Sequence, residues 1–205
     1  MASERSPEAR LPGGDTSVDG LALRSSVYAD PELRSDRTTV RRVPDEQRVR
    51  RSARVLLVDW ADRLLLVRLA APVDGLPLWI APGGGIEAGE DSLDAAVREL
   101  REELGIRLDP EQLTGPVWVQ ELDIGFGPYT GIENTYLFAR ADVVPDLSTT
   151  AAEWATEGIV EVDTWDTERM RAAAGRALFS PRALPDMLDA VLANALPNPP
   201  LSVGL

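Results

Sequence analysis

The sequence predicts an α/β or α+β fold with a mixed sheet, on three observations. Short apolar runs recur from Arg54 onward, segments with helical spacing lie between and after them, and glycine- and proline-rich stretches punctuate the joins. Of the 205 residues, 44% are hydrophobic, enough for one core of ordinary domain size with residues left over.

Residues 1 to about 20 are rich in Pro, Gly, Ser and charge, which reads as a disordered or loosely docked tail. Arg37, Arg41, Arg42, Arg48, Arg50, Arg51 and Arg54 then form the one basic run. It reads as a solvated lead-in balancing an acidic body, with anion or partner contact as the alternative. Residues 1–50 are therefore taken as an extension and 51–205 as the folded domain. Arg54-Val-Leu-Leu-Val-Asp59 and Arg63-Leu-Leu-Leu-Val-Arg68, around Trp60-Ala-Asp62, predict a hairpin with both faces largely covered. Leu76 to Ile80 leads into Pro82-Gly83-Gly84-Gly85, where the chain can turn tightly.

A helix follows, capped by Asp91 or Ser92 and ended by Gly105 in a left-handed conformation. Leu93, Val97, Leu100 and Leu104, spaced four, three and four, predict one buried stripe. Strands are expected at Val117 to Leu122, Glu133 to Arg140 and about Ile159 to Thr164. Helices near Thr167 to Ala177 and Ala183 to Ala195 close the chain, with an irregular Pro197-Asn-Pro-Pro200 after them.

Cysteine is absent, which excludes disulfides, thiolate metal sites and a cysteine nucleophile; histidine is absent too, removing the usual general base and zinc ligand. Acid–base chemistry or metal binding must rest on carboxylates. A net charge of -13 argues against a nucleic-acid groove, and an anionic substrate would need bound metal to approach. All 21 positive charges are arginine, which reads as compositional bias. No apolar run is long enough to cross a bilayer, and MASERSPEAR lacks the apolar core of a signal peptide, so a cytoplasmic protein without a membrane partner is expected.

The segment from Gly84 to Ile106 concentrates seven carboxylates against two arginines. Either this is a solvated helix face or it is a cage for divalent cations. With the apolar stripe against the core, Glu99, Glu102 and Glu103 fall at i, i+3 and i+4, so their carboxylates meet on a neighbouring flank. Like charges so placed repel, whereas a hard divalent cation favours ionised oxygen ligands. Arg98 lies one turn before Glu102 and can steady the cluster, and carbonyls of the glycine loop offer a further oxygen. Such a trio alone is weak evidence. The fuller pattern decides it, because nine specified positions from Gly84 to Ile106 would match by chance well under once in about a million such chains.

This pattern resembles the Nudix box, G-x5-E-x7-R-E-U-x-E-E-x-G-U with U aliphatic, and every specified position is met. The likeness extends more loosely from about Arg54 to Ala195. It implies a Nudix-type α/β/α sandwich around a curved mixed sheet, and Mg2+- or Mn2+-dependent hydrolysis of a nucleoside diphosphate linked to another moiety. By position, Glu102 and Glu103 match the family's metal ligands and Gly84 the residue whose carbonyl joins them. Glu99 matches the third acidic member, metal ligand or base. Arg98 resembles the arginine that orients these glutamates, and Glu90 its partner.

A further glutamate often comes late in the domain, for which Glu153 and Glu157 are candidates, although surface roles suit both. Trp79 could stack on a base but reads more readily as core, as do Trp118 and Trp165; Phe126 and Tyr129 could contact substrate or simply pack their loop. Around Glu121 to Ile124 there is neither the proline of ADP-ribose hydrolases nor the tyrosine of dinucleoside polyphosphate hydrolases, and the coenzyme A and NADH hydrolase elements are missing. Nucleoside triphosphates, oxidised nucleotides and nucleotide sugars all fit. Isopentenyl diphosphate isomerase shares the fold but needs a cysteine. A nucleotide-sensing module without catalysis remains the alternative, and the intact box favours the enzyme. The resemblance also leads us to expect a homodimer.

Overall fold

The computed structural model describes residues 48–125, 127–145, 154, 156–193 and 195–204. The tail, Arg37, Arg41 and Arg42 of the basic run, Phe126 and Glu153 lie outside the described residues. Those described form eight strands and three helices in the order β1 (Val49–Val58), β2 (Leu64–Leu69), β3 (Leu78–Ile80), α1 (Ser92–Leu104), β4 (Thr114–Leu122), β5 (Gly131–Arg140), β6 (Ile159–Trp165), α2 (Thr167–Ala172), β7 (Leu178–Ser180), α3 (Leu184–Leu192) and β8 (Leu201–Val203). A short 3-10 turn, Pro110–Gln112, joins α1 to β4.

The eight strands make one mixed, curled sheet in the order β7-β3-β2-β1-β5-β4-β8, with β6 on the other side of β2. β1 runs parallel to β5 along its whole length, from Val49 opposite Gly131 to Val58 opposite Arg140. β2 meets β1 only at Val58 and Leu64, then pairs with β3 and β6. The β1–β2 turn is held by Asp59, whose Oδ1 accepts from the N–H groups of Ala61 and Arg63.

Both faces of the hairpin are covered, as its unbroken apolar runs predict. Ala53, Val55, Leu57, Leu65 and Val67 pack with Leu100 and Leu104 of α1 on one face. Leu56, Val58, Leu64 and Leu66 pack on the other with Trp79, Trp165, Met170, Leu184 and Leu188, the last three from α2 and α3. The result is an α/β fold with helices on both faces of the sheet.

Three elements differ from the sequence reading. The helix expected over 167–177 ends at Ala172, because Gly175 takes a φ of +76° and the chain then joins the sheet as β7, parallel to β3. β8 follows the proline-rich stretch and pairs parallel with β4. The buried side of α1 is also rotated: Leu100 and Leu104 are fully buried, but Ala95, Ala96, Glu99 and Glu103 join them, while Leu93 and Val97 sit half-buried at the margin.

α1 itself starts and stops as the sequence predicts. Asp91 Oδ1 accepts from Leu93 and Asp94 N–H, and Gly105 closes the helix at φ +65°.

The loop after β3 lies against β1. Ala53 N–H donates to Gly84 O, Val55 N–H to Pro82 O, and Ile86 N–H to Arg51 O. Gly83 sits at φ +123°, and a Cβ there would collide with the Ala53 carbonyl. Gly83→Ala is therefore expected to cost at least about 2 kcal/mol of stability in thermal or denaturant unfolding, from backbone strain and collision together.

Candidate functional site

The acidic residues of α1 face this glycine loop, and a missing side chain explains how. Glu99 is 9% exposed and lies against Gly84; a Cβ on Gly84 would come within 2.5 Å of its carboxyl group. Glu103, one turn on and 3% exposed, accepts the Gly83 N–H at Oε2, 3.0 Å. Two carboxylates are thus packed between helix and loop rather than left on a solvated flank.

Arg98 organises the outer half. Its guanidinium donates to Glu90 through Nε (2.9 Å) and Nη2 (2.8 Å), to Glu99 Oε1 (2.8 Å) and Glu102 Oε2 (3.1 Å) through Nη1, and to Gly85 O through Nη2 (2.9 Å). The fork holds Glu90 near a pKa of about 2, chiefly by that hydrogen bonding with help from the Glu87 N–H. Glu102 is the most exposed of the three box glutamates, its side chain 43% accessible.

Arg54 organises the inner half. Half-buried on β1, it donates to the carbonyls of Ala81 and Gly83 and lies close enough to Glu103 for their charges to interact. Burial nonetheless raises Glu103 to a pKa of about 7, with Arg54 and the Gly83 N–H opposing and the charges of Glu99 and Glu157 adding to the rise. Burial likewise raises Glu99, Arg98 opposing. Trp154 fixes the helix from behind, its indole N–H donating to the Glu103 backbone carbonyl at 2.6 Å.

The candidates from the sequence are therefore placed as follows. Glu90, Glu99 and Glu102 gather on Arg98, and Glu103 turns to Gly83 and Arg54. Gly84 O already accepts from Ala53, so any further bond would use its second lone pair. Glu157 is exposed, yet its charge reaches Glu99 and Glu103. Trp79 is 5% exposed and packs edge-on against Trp165, so it belongs to the core, as do Trp118 and Trp165; Tyr129 is half-buried.

Among the described residues no three acidic side chains stand as a ready-made metal-holding group. The chemistry of the set still fits a hard divalent cation: all donors are oxygen, and burial raises both Glu99 and Glu103 despite the opposing charges of Arg98 and Arg54. The sequence reading missed Arg54 and Trp154. Arg54 was legible only as one cation directly preceding an apolar run, at a position whose alternation points into the fold.

The comparisons with known proteins agree with this fold. A NUDIX hydrolase from Nitrosomonas europaea superposes with a TM-score of 0.52 at 19% identity, covering 73% of this chain and 91% of its own, which supports the fold. The NUDIX domain family model matches residues 48–185, and the chain belongs to that family. It is 35% identical over 105 residues to m7GpppN-mRNA hydrolase NUDT17 of Danio rerio, covering 49% of this chain and 35% of the relative. It is 34% identical over 114 residues to an RNA pyrophosphohydrolase of Erythrobacter litoralis, covering 47% of this chain and 63% of the relative. The chain thus spans between about a third and two thirds of the length of these relatives.

Two outcomes test the geometry. Gly84→Ala would push a methyl group into the Glu99 carboxyl, the far end of a side chain, so we expect a folded protein in which Glu99 is displaced and activity falls on the order of 10²-fold. The raised Glu103 carboxyl stabilises the metal-free fold below its ordinary pKa of 4.5, and that contribution is lost as pH rises through about 7. Metal-free Glu103→Gln should therefore be more stable than the parent at pH 8, by about 1–3 kcal/mol, and similar to it at pH 4.5. Equal pH dependence of the two melting curves would contradict this.

Proposed function

We propose that this protein is a Mg2+- or Mn2+-dependent hydrolase that cleaves a diphosphate linkage in a nucleoside diphosphate joined to another moiety. The observation that carries this is a charge imbalance. Glu90, Glu99, Glu102 and Glu103 are drawn together and the charge of Glu157 reaches the buried pair, while one guanidinium, Arg98, is shared by three of these carboxylates, Arg54 acts on Glu103, and Arg101 approaches only the exposed Glu102, at 3.9 Å. A divalent cation among them would relieve the repulsion between these carboxylates and favour the ionised form of the buried pair.

Glu99, Glu102 and Glu103 would hold the ion, with Gly84 O as a further ligand. A bound divalent cation supplies charge neutralisation on the diphosphate oxygens and a more acidic water. Glu99, hydrogen-bonded to Arg98 and packed against Gly84, would serve either as a ligand of the ion or as the general base. Glu157, whose charge reaches both buried glutamates, is a candidate for the further acidic member. Arg98 and Glu90 position the set. The substrate is a nucleotide-type small molecule: a nucleoside triphosphate, an oxidised nucleotide or a nucleotide sugar. The relatives' names, which cite an mRNA cap and RNA pyrophosphate, add nucleotide ends of that chemistry. No described helix is long and apolar enough to cross a membrane.

Incubation with a panel of such compounds, with and without Mg2+, should give metal-dependent hydrolysis of at least one, with the products identifying the bond broken. Glu102→Gln and Glu103→Gln should each fold and lower kcat on the order of 10²-fold or more. Retained nucleotide binding with no turnover would favour a sensing module instead.

A further inference from the structure

A line of polar side chains crosses the sheet where its face is otherwise apolar. Register places Ser52 of β1 opposite Asn134 of β5, Asn134 opposite Gln120 of β4, and Gln120 opposite Val203 of β8. At the other end Ser52 bridges to Gly85, the loop residue whose carbonyl Arg98 holds. One row of paired positions thus runs from the loop of the acidic site to the sheet's edge. Alternation along the strands puts the row on the side that carries Leu56, Trp118 and Tyr136. Ser52 and Gln120 are fully buried there, and Asn134 is 7% exposed.

Gln120 is the hub of the row. Its Oε1 accepts from Asn134 Nδ2 (3.0 Å) and from the Tyr136 hydroxyl (2.9 Å), while its Nε2 donates to the Gly204 carbonyl just after β8 (3.0 Å). Beyond the hub the row is incomplete. Asn134 Oδ1 and Ser52 Oγ have no hydrogen-bond partner among the described residues. Two buried polar atoms without partners burden the state in which β8 is seated, and water relieves them once the row is opened. The cover is slight: β8 is three residues at the edge of the sheet, with Leu201 51% exposed and Ser202 and Gly204 exposed as well. Few buried contacts mark an element that opens before the rest of the fold.

We propose that β8 is a releasable strap that seals the row in a resting state and lifts before the neighbouring acidic site turns over. Its anchor is the bond from Gln120 to Gly204, and the row beneath leads to Gly85, so lifting wets the sheet face beside the loop on which the acidic helix packs. A polar row inside an apolar cluster is a cost to the fold unless some state of the protein uses it wet. The opening stands whether or not the hydrolase reading does; its effect on turnover rests on that reading.

Opening is tested on the full chain by native-state hydrogen exchange of the Gln120 side-chain amide, assigned by NMR through Gln120→Met. We expect its protection to be at least about a hundredfold below that of the most protected backbone amides of β5, a strand paired on both sides. Val119→Cys combined with Ser202→Cys then locks the strap, because these are register partners on the opposite face of β4 from the row. The parent has no cysteine, so one disulfide alone can form within the chain. Oxidation should raise the Gln120 protection at least about tenfold, and a reductant should reverse it. Protection of Gln120 equal to that of β5, or unchanged by oxidation, would overturn the strap.

Turnover tests the regulatory role. With Mg2+ and the panel compound that the parent hydrolyses fastest, the oxidised double variant should fall at least about tenfold in kcat/KM and recover on reduction. Equal or higher turnover in the oxidised form would overturn that role. Absence of turnover in every form, the parent included, would count against the hydrolase reading and leave hydrogen exchange to decide the strap.

Discussion

Everything around the acidic helix depends on two carboxylates being buried against a stretch of chain with no side chains. Gly84 leaves the space that the Glu99 carboxyl group fills, and the Gly83 N–H meets Glu103. The loop cannot drift, because the carbonyls of residues 81 to 85 are all engaged: Ala81 and Gly83 by Arg54, Pro82 and Gly84 by β1, and Gly85 by Arg98. Helix, loop and central strand therefore form one rigid unit around the charges. That rigidity is what lets burial raise Glu99 and Glu103 instead of letting both swing into water.

The strand beneath carries a division of labour set by the period of two. Ala53, Val55 and Leu57 face α1 and seat it, while Leu56 and Val58 face α2 and α3. Arg54 shares the second orientation, yet it lies where the loop crosses the sheet, so its guanidinium reaches the loop carbonyls and the field of Glu103. A charge inside an apolar strand is tolerated here because it has carbonyl acceptors and an opposite charge together.

What could be read from the sequence was what is local. The Asp91 cap, the Gly105 stop, the glycine turn and the two-faced hairpin each depend on a few neighbouring residues, and each is present. β7 and β8 have three residues apiece, and their existence depends on distant partners, β3 and β4, that no local pattern announces. The rotation of α1 escaped for the same reason. Counting apolar positions put Leu93 and Val97 in the buried stripe, whereas contact with a bare loop draws Glu99 and Glu103 inward and leaves those two at the edge. Trp154 contacts the Glu103 carbonyl across 51 positions, a relation visible only once the chain is folded.

Every cation in the chain is arginine, and at two positions the guanidinium shape is used. Arg98 bonds three carboxylates and a carbonyl from one planar group, a task that needs several N–H donors held in fixed directions. Lysine offers a compact point charge and could not span Glu90 and Glu99 while reaching Gly85. Arg169 uses the other property of the same group, lying flat on Trp165 while its edge holds Asp163 and Thr164. One guanidinium therefore works through its edge, ordering like charges that would otherwise repel, and the other works through its face, leaving a charged plate beside a groove. Substituting lysine at either position would preserve net charge and lose the geometry, so it is the shape of the cation, more than its sign, that the fold exploits.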